Sequence, residues 1–232
     1  MFKKVSKLVD SWKKFRSDGN VLVYQMGKVG SSSLEKSIPN SIHLHMLYET
    51  PPCFIHYEQR RKGIRRIYGL VEDLFKRIAI KRRSEVNIIT LVRDPCDRNV
   101  SMFFQDLSYW VCHHIGKNRM STRLDSADFL ENVFFDSFDH QYVLTWFDKE
   151  LLRFSGIDVF SIEFNKELGY QIISKGKFNV LILDSKRINE LSSGKDRTNE
   201  ANIDDLLTSI DISKTSNKNG LSFSSDTLKL KE

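Results

Sequence analysis

The chain has 232 residues, 40% of them hydrophobic, which is enough for one substantial core and argues against two independent domains. Its 36 Lys and Arg against 30 Asp and Glu leave a formal charge of +6, which favours anionic partners such as phosphorylated cofactors, nucleic acid or an acidic membrane surface. No run approaches the roughly 18 apolar residues of a spanning helix, and Cys53, Cys96 and Cys112 include no Cys-x-x-Cys pair, which argues against a transmembrane segment, a disulfide framework and a zinc knuckle.

The first predicted element is a basic amphipathic helix within residues 1–19. Apolar residues recur at helical spacing, and lysine or arginine takes most of the positions between them. Such a helix more often packs its apolar stripe on the core, but it can also lie on anionic lipid. We therefore expect a cytoplasmic protein whose N-terminal helix is a candidate contact to the inner membrane face. The apolar residues are Phe2, Val5, Leu8, Val9, Trp12 and Phe15.

Apolar runs and helical patterns then alternate along the chain. Strand-like runs cover residues 21–25, 42–47 and 86–92, and a helical pattern fills residues 59–83. This order predicts an α/β domain with a mostly parallel sheet. Further helices are expected at residues 97–107, 127–135 and 140–154, a buried strand at 178–183, and a helical turn through Ile188 and Leu191.

Two segments are polar enough to need separate interpretation. Residues 59–83 carry ten Lys or Arg, which predicts a solvated helix face or a surface that steers an acidic polymer. Because Tyr68 and Phe75 are the only aromatic residues in this stretch, it lacks the aromatic interleaving that stacks bases, and we expect no nucleic acid partner. Residues 193–232 are rich in Ser, Asn, Asp, Thr and Lys, which predicts a disordered tail.

The run at residues 21–25 breaks into a turn that reads Met26-Gly27-Lys28-Val29-Gly30-Ser31-Ser32-Ser33. Glycines allow a sharp turn, so consecutive N–H groups can converge on an anion, and a following helix adds the positive end of its dipole. Lys28 and the serines suit a phosphate-like group. The Walker A pattern is not matched, because Lys28 precedes Val29 and Gly30, so ATP or GTP is not the first expectation. The alternative is a plain strand-to-helix connection capped by serines.

A second candidate anion site follows the strand at residues 86–92. Arg93 leaves the end of that strand, where open α/β sheets bind ligands, and Pro95 ends the strand. We expect Asp97 to cap the next helix, on which Ser101 follows Arg98 by one turn. A guanidinium with a hydroxyl makes a phosphate site separate from the first. The alternative is an ordinary helix-capping turn.

Together the two loops resemble those of sulfotransferases that use 3′-phosphoadenosine 5′-phosphosulfate, and the first is similar to that of bacterial capsular polysaccharide synthesis proteins. The resemblance covers roughly residues 20–192 and implies a P-loop-type three-layer α/β fold, with a central, mostly parallel sheet flanked by helices. It also implies that the first loop holds the 5′-phosphosulfate, with Lys28 facing the leaving group, while the second loop holds the 3′-phosphate. The implied cofactor-binding residues are Gly27, Lys28, Val29, Gly30, Ser31, Ser32, Ser33, Arg93 and Ser101.

Two histidines lie between these loops, at His43 and His45. On a strand they share one face, and the segment looks like the site of uronyl 2-O-sulfotransferases, in which the second histidine is the catalytic base. The resemblance implies that role for His45, with Lys28 as its catalytic partner. The alternatives are that His43 is the base, or that both histidines are hydrogen-bonded beside the core.

We therefore expect a sulfuryl transfer to a carbohydrate hydroxyl, as in capsular or surface polysaccharide synthesis, without a metal. One rival is a P-loop kinase or other nucleotide phosphotransferase, for which Asp184 is the acidic candidate. The other rival is a non-catalytic protein that binds polyanions or the membrane periphery. The loops at residues 50–57 and 108–126 are expected to shape the acceptor site.

Other polar residues carry weaker signals. Adjacent residues such as His113 and His114 seldom ligate one ion, so no metal site is expected. Asp148 and Glu150 stand two apart on a predicted helix and cannot face one another, which favours a solvated face. Trp146 and Phe147 are expected to turn inward.

Overall fold

The structure is a computed structural model that describes residues 2–30, 38, 40–48, 63–118 and 126–186. Ser31, Ser32 and Ser33 lie outside the described residues. The same holds for the predicted helical turn after residue 187 and for the tail at residues 193–232.

A mostly parallel sheet forms the centre of the described part of the chain. Its strand order is β2-β1-β3-β5-β4, in which β2, β1, β3 and β5 run parallel to their neighbours and β4 pairs antiparallel with β5. Helices flank the sheet, so the expected α/β class is confirmed. The strands are β1 (Val21–Tyr24), β2 (Ser41–Leu44), β3 (Val86–Val92), β4 (Tyr170–Lys175) and β5 (Phe178–Asp184).

The three central strands are buried along most of their length. Leu22 and Ile88 are 0% exposed, and they lie opposite one another in the register of β1 and β3. Val180 on β5 pairs with Ile88 and is equally buried. Parallel strands covered on both faces require such near-continuous apolar runs, which explains why the sequence pattern located them well.

Helices make up much of the remainder of the described chain, and turns and loops connect them. Helix α6 continues without a break into a π-helical segment, which is followed by a final α-helical turn, α7. The bounds are α1 (Phe2–Arg16), α2 (Ile64–Lys81), α3 (Pro95–Gln105), α4 (Leu107–Asn118), α5 (Ala127–Ser137), α6 (Gln141–Trp146), the π-helical segment (Phe147–Leu152) and α7 (Arg153–Ser155). No helix among the described residues is both long and apolar enough to cross a bilayer.

The structure corrects several sequence-based boundaries. β2 ends at Leu44 rather than at residue 47, so His45 lies just beyond the strand. Asp94, not Asp97, caps α3: its carboxylate accepts hydrogen bonds from the backbone N–H groups of Cys96 and Asp97, both at 3.0 Å. Asp94 has this role because Pro95 takes the first helical position, where its missing N–H costs nothing.

Two elements were not predicted. Much of the segment at residues 108–126, expected to be a loop, belongs to α4. The antiparallel strand β4 was missed, although it joins β5 through a two-residue connection in which Gly176 has a φ of 59°. A glycine in the left-handed region is typical of such tight hairpins, and it was the available signal.

Helix α1 packs against α2 rather than standing apart. The ring of Trp12 lies edge-on to Phe75 with centroids 5.8 Å apart, and Phe15 is only 7% exposed. Arg83, which follows α2, is 3% exposed, and its Nε and one terminal nitrogen donate to the carbonyls of Phe15 and Asn20 at 2.6 and 2.7 Å. Arg83 therefore ties the end of α1 and the turn into β1 to the core.

We expect Arg83→Ala to lower the free energy of unfolding by about 1–3 kcal/mol, because two buried carbonyls lose their donors. Urea denaturation measures this change. The control is Arg16→Ala, which removes an exposed arginine at the end of the same helix and should stay within about 0.5 kcal/mol of the parent. Equal effects of the two substitutions would contradict the anchoring role.

Candidate functional site

The predicted site residues meet at the carboxyl edge of the sheet. The register pairs Tyr24 with Leu44 and Val92 with Asp184, so the parallel strands end nearly level. The loop of residues 25–30, hereafter the β1 loop, therefore leaves the sheet beside His45 and Arg93. This is the edge at which open α/β sheets bind ligands.

The β1 loop contains two residues in the left-handed region. Lys28 has a φ of 69° and Gly30 a φ of 94°. Glycine adopts this conformation readily, whereas a lysine there costs about 1 kcal/mol or more and persists only where its surroundings hold it. The turn predicted at residues 27–30 is therefore present, and its tightest point lies at a lysine.

Three side chains hold the β1 loop by its carbonyl oxygens. His45 Nδ1 donates to Gln25 O at 3.1 Å, Arg98 Nε donates to Gly27 O at 3.0 Å, and Arg93 Nη1 donates to Lys28 O at 3.1 Å. In a trans peptide the carbonyl and the next N–H point in opposite directions. The N–H groups of Lys28 and Val29 consequently point away from Arg98 and Arg93.

Among the described residues, none of the N–H groups of residues 27–30 donates to a backbone carbonyl. Val29 is 0% exposed, backbone included, so its N–H lies inside the protein. The β1 loop thus directs its carbonyls toward His45, Arg98 and Arg93, and of residues 27–30 only Lys28 and Gly30 reach the surface.

Arg98 is the buried anchor of the β1 loop, a role that was not predicted for it. It is 1% exposed, its Nη1 donates to Asn99 Oδ1 at 3.1 Å, and its guanidinium lies 4.4 Å from the ring centroid of Tyr142. Its burial could have been predicted from helical spacing, because Arg98 stands four residues before the apolar Met102 and so shares its helix face.

Lys28 and Arg93 are the cations of the site. Both are half-buried, and neither forms an ion pair within the described part of the chain. Arg93 was expected at a phosphate site separate from the first loop, but its hydrogen bond to Lys28 O joins the two loops. Ser101 is half-buried on α3, and no hydrogen bond links it to Arg93.

The two histidines lie together although only one belongs to the strand. Their rings are edge-to-face with centroids 4.2 Å apart. Since a carbonyl only accepts, the contact with Gln25 O puts the proton of neutral His45 on Nδ1 and its lone pair on Nε2. The Gln25 amide nitrogen lies 3.2 Å from His43 Nε2 and donates to it, which puts the proton of His43 on Nδ1.

His43 is held in its neutral form. Burial, and then the neighbouring His45, lower the pKa of His43 to about 4. A half-buried imidazole has lost part of its contact with water, so its charged form is less stable there. A second positive charge on the neighbouring histidine would add repulsion. His43 is therefore uncharged at neutral pH.

Gln25 connects these groups and was not predicted as a site residue. It is 0% exposed; its side-chain nitrogen contacts His43, its carbonyl holds His45, and its N–H donates to Leu44 O at 3.1 Å. Its Oε1 has no hydrogen-bond partner in the described structure. Its position as the polar residue that ends the strand-like run at residues 21–25 could have indicated a role in the site.

A buried carboxylate fixes the segment that follows β2. Glu150, in the π-helical segment, is 0% exposed and accepts from the hydroxyl of Tyr24 and from the N–H groups of Leu47 and Tyr48, at 2.6 and 3.1 Å. The predicted solvated face is therefore wrong for Glu150, because its partners come from β1 and the β2 exit. It follows the buried Trp146 by four residues, which was a signal for its burial.

The same helix also holds His45 directly. Trp146 Nε1 donates to His45 O at 3.0 Å, and Trp146 and Phe147 are buried as predicted. Burial, followed by the charge of Glu150, raises the pKa of Tyr24 well above its usual value, so its hydroxyl stays protonated as a donor. His45 is thus fixed from both sides, through its ring and through its backbone.

Of the remaining polar candidates, His114 and Asp148 lie apart from this group, whereas Asp184 pairs with Val92 at the same edge of the sheet. His114 is buried, with its Nδ1 2.9 Å from Ser137 Oγ, and Asp148 is exposed. The described residues contain no group of three or more His, Cys, Asp or Glu that could hold a metal ion. Asp184 ends β5 and accepts from the N–H of Lys186 at 2.9 Å.

Comparisons of the chain with protein-family models, with curated proteins and with solved structures found no match. The likeness to sulfotransferases therefore rests on the loop motifs themselves.

We expect the pKa of His43 to be measured near 4 by following its ring resonances in an NMR titration. Because the folded pKa is below the unfolded value of 6.5, the unfolded state takes up the proton first. The stability contribution is complete above about pH 6.5 and is lost as the pH falls toward 4. His43→Gln should reduce this loss in urea denaturation, whereas titration near 6.5 would contradict the assigned environment.

We expect Glu150→Gln to lower the free energy of unfolding by about 2 kcal/mol or more, because the amide nitrogen would face groups that are themselves donors. Asp148→Asn makes the same chemical change at an exposed position two residues earlier and should alter stability by less than about 0.5 kcal/mol. Urea denaturation of both variants measures the difference. A Glu150 variant as stable as the Asp148 variant would contradict the clamp.

Proposed function

We propose that the chain is a sulfotransferase with a P-loop-type three-layer fold, which moves a sulfuryl group from 3′-phosphoadenosine 5′-phosphosulfate to a carbohydrate hydroxyl. The observation that carries the proposal is the β1 loop, which orients His45 through Gln25 O and presents Lys28 in a left-handed turn. A proton acceptor and an anion cradle are the two parts that such a transfer requires.

The residues present fit an anionic donor. Lys28 and Arg93 form no ion pair within the described residues, and the N–H groups of Lys28 and Val29 face away from Arg98 and Arg93. Arg93 contacts the carbonyl side of the peptide between Lys28 and Val29. An anion on the N–H side of this peptide and a second anion on Arg93 would therefore lie on opposite sides of it. Two separated anion positions suit a donor that has phosphates at both ends, and when bound that donor would supply the activated sulfuryl group.

His45 is better suited than His43 to accept the hydroxyl proton. The Nε2 of His43 already accepts from the Gln25 amide, and its pKa near 4 makes it a weak base at neutral pH. In His45 the contact with Gln25 O holds the tautomer whose lone pair is on Nε2, and the same carbonyl would stabilise the imidazolium after proton uptake. Gln25 is then a positioning residue.

The other polar groups have binding roles in this proposal. Lys28 and the N–H groups of the β1 loop would stabilise charge on the leaving phosphate, and Gly27 and Gly30 permit the turn. Arg93 would bind the 3′-phosphate with its remaining N–H groups while it holds Lys28 O, and Ser101 would add a hydroxyl. Saccharides are the proposed acceptors, as in capsular or surface polysaccharide synthesis.

The proposal predicts binding of 3′-phosphoadenosine 5′-phosphate without a metal and no comparable binding of ATP, with or without Mg²⁺, in calorimetry. Lys28→Ala and Arg93→Ala should each weaken the interaction at least about tenfold, because a charge-assisted contact is lost. Lys149→Ala, which removes an exposed lysine of the π-helical segment, is the matched control. Tight binding of ATP with Mg²⁺ alone would indicate the kinase, and binding of neither nucleotide would indicate a non-catalytic protein.

Turnover gives the second part of this test, with labelled donor and a panel of bacterial polysaccharide acceptors. His45→Ala should bind 3′-phosphoadenosine 5′-phosphate like the parent but lose about 100- to 10,000-fold in kcat, the usual range for a general base. His43→Gln should lose much less. Full activity of the His45 variant would remove this residue from the mechanism.

A further inference from the structure

Helix α2 has its apolar face turned outward. One set of side chains recurs at positions i, i+3, i+4, i+7, i+10, i+11 and i+14, which places them on one face, yet each is between 38% and 66% exposed. The opposite side of the same helix buries Asp73 at 2% and Ile80 at 0% exposure. This set, hereafter the α2 stripe, is Ile64, Ile67, Tyr68, Val71, Leu74, Phe75 and Ile78.

An ordinary surface helix shows the reverse arrangement, with its apolar stripe against the core and polar residues in water. Contiguous apolar side chains left in water mark a surface that binds something, whereas scattered ones need no explanation. The α2 stripe extends from the start of the helix to its last turn. It is therefore a candidate contact surface along the whole helix.

Helices α1 and α2 are strongly basic as a pair. Helices α1 and α2 together contain eleven Lys or Arg and three Asp or Glu, whereas the whole chain contains 36 and 30. The rest of the chain thus carries 25 basic and 27 acidic residues, and the net positive charge is concentrated in these two helices. On α2 both acidic residues pair with Lys76, at 2.6 Å for Glu72 and 3.5 Å for Asp73.

Three exposed lysines lie near the stripe. Lys81 ends α2 three residues after Ile78, and Lys13 and Lys14 follow Trp12 on α1. Helix α1 lies alongside, since Trp12 packs against Phe75 of the stripe. The two helices therefore form one surface that combines an apolar stripe with exposed cations.

We propose that this surface binds the headgroup region of an anionic lipid bilayer, with α2 lying in the plane of the membrane and its stripe inserted. A lipid interface takes up apolar side chains and attracts Lys and Arg at the same time. A second copy of the chain would bring two positive surfaces together, and a nucleic acid would leave the aliphatic residues in water. Lipid accounts for both features.

Vesicle sedimentation with the full chain tests the proposal. The protein should sediment with vesicles of phosphatidylcholine mixed with phosphatidylglycerol and much less with phosphatidylcholine alone. Added salt should weaken the interaction, because it screens the charges that attract the surface. Equal sedimentation with both lipids, or with neither, overturns the proposal.

A matched pair of double variants assigns the interaction to the stripe. Ile67→Ser with Leu74→Ser removes stripe residues that are 62% and 46% exposed, and it should lower the partition coefficient at least about tenfold. Ile162→Ser with Leu144→Ser makes the same changes at residues 42% and 55% exposed outside α2, and it should bind like the parent. Circular dichroism verifies that both variants are folded.

The remaining outcomes also decide the matter. Undiminished sedimentation of the stripe variant would assign lipid binding to another segment and overturn the role of α2. Light scattering detects a dimer, and a dimer that the stripe variant dissociates, without vesicle binding by the parent, would show that a second copy covers the stripe. Nucleotide binding by calorimetry is measured on the same samples, so failure here is separate from failure of the sulfotransferase proposal.

Discussion

The conformation of the β1 loop depends on three carbonyl oxygens that are each held by a side chain. Gln25 O accepts from His45, Gly27 O from Arg98 and Lys28 O from Arg93. Without these donors, a lysine at a φ of 69° would relax to a commoner conformation. The same contacts turn the N–H groups of Lys28 and Val29 away from Arg98 and Arg93. The conformation of the loop thus follows from how its carbonyls are satisfied.

The second constraint comes from the helix that ends in the π-helical segment. π-Helical turns are uncommon and often occur at functional sites, because the additional residue changes which side chains face a partner. Here the segment presents Glu150 to two backbone N–H groups beyond β2, while Trp146 binds the carbonyl of His45. The β1 loop and this helix hold the same histidine from opposite sides. His45 therefore has a defined position although it lies beyond the end of its strand.

The chain also buries some charged side chains and exposes some apolar ones, which is the reverse of the usual distribution. At the carboxyl edge, the buried Arg98 and Glu150 are hydrogen-bonded to both backbone and side-chain groups, whereas on α2 apolar side chains face water. Burial of the charged groups is tolerated because each has several hydrogen-bond partners. Exposure of the apolar stripe has no such internal compensation. The buried charged groups hold the loops of the candidate site in place. The exposed α2 stripe instead offers a surface to a partner.

Local patterns were sufficient to predict most strands, a sharp turn after β1 and the inward direction of Trp146, but not the left-handed conformation of Lys28. Apolar runs and glycine positions act over a few residues, so a sequence shows them directly. The roles of Gln25, Arg98 and Glu150 were decided only by the tertiary structure. Their contacts with His45, Gly27 and Leu47 join residues that are 20, 71 and 103 positions apart. No local pattern encodes which distant donor meets which acceptor, because packing of the sheet and helices determines it.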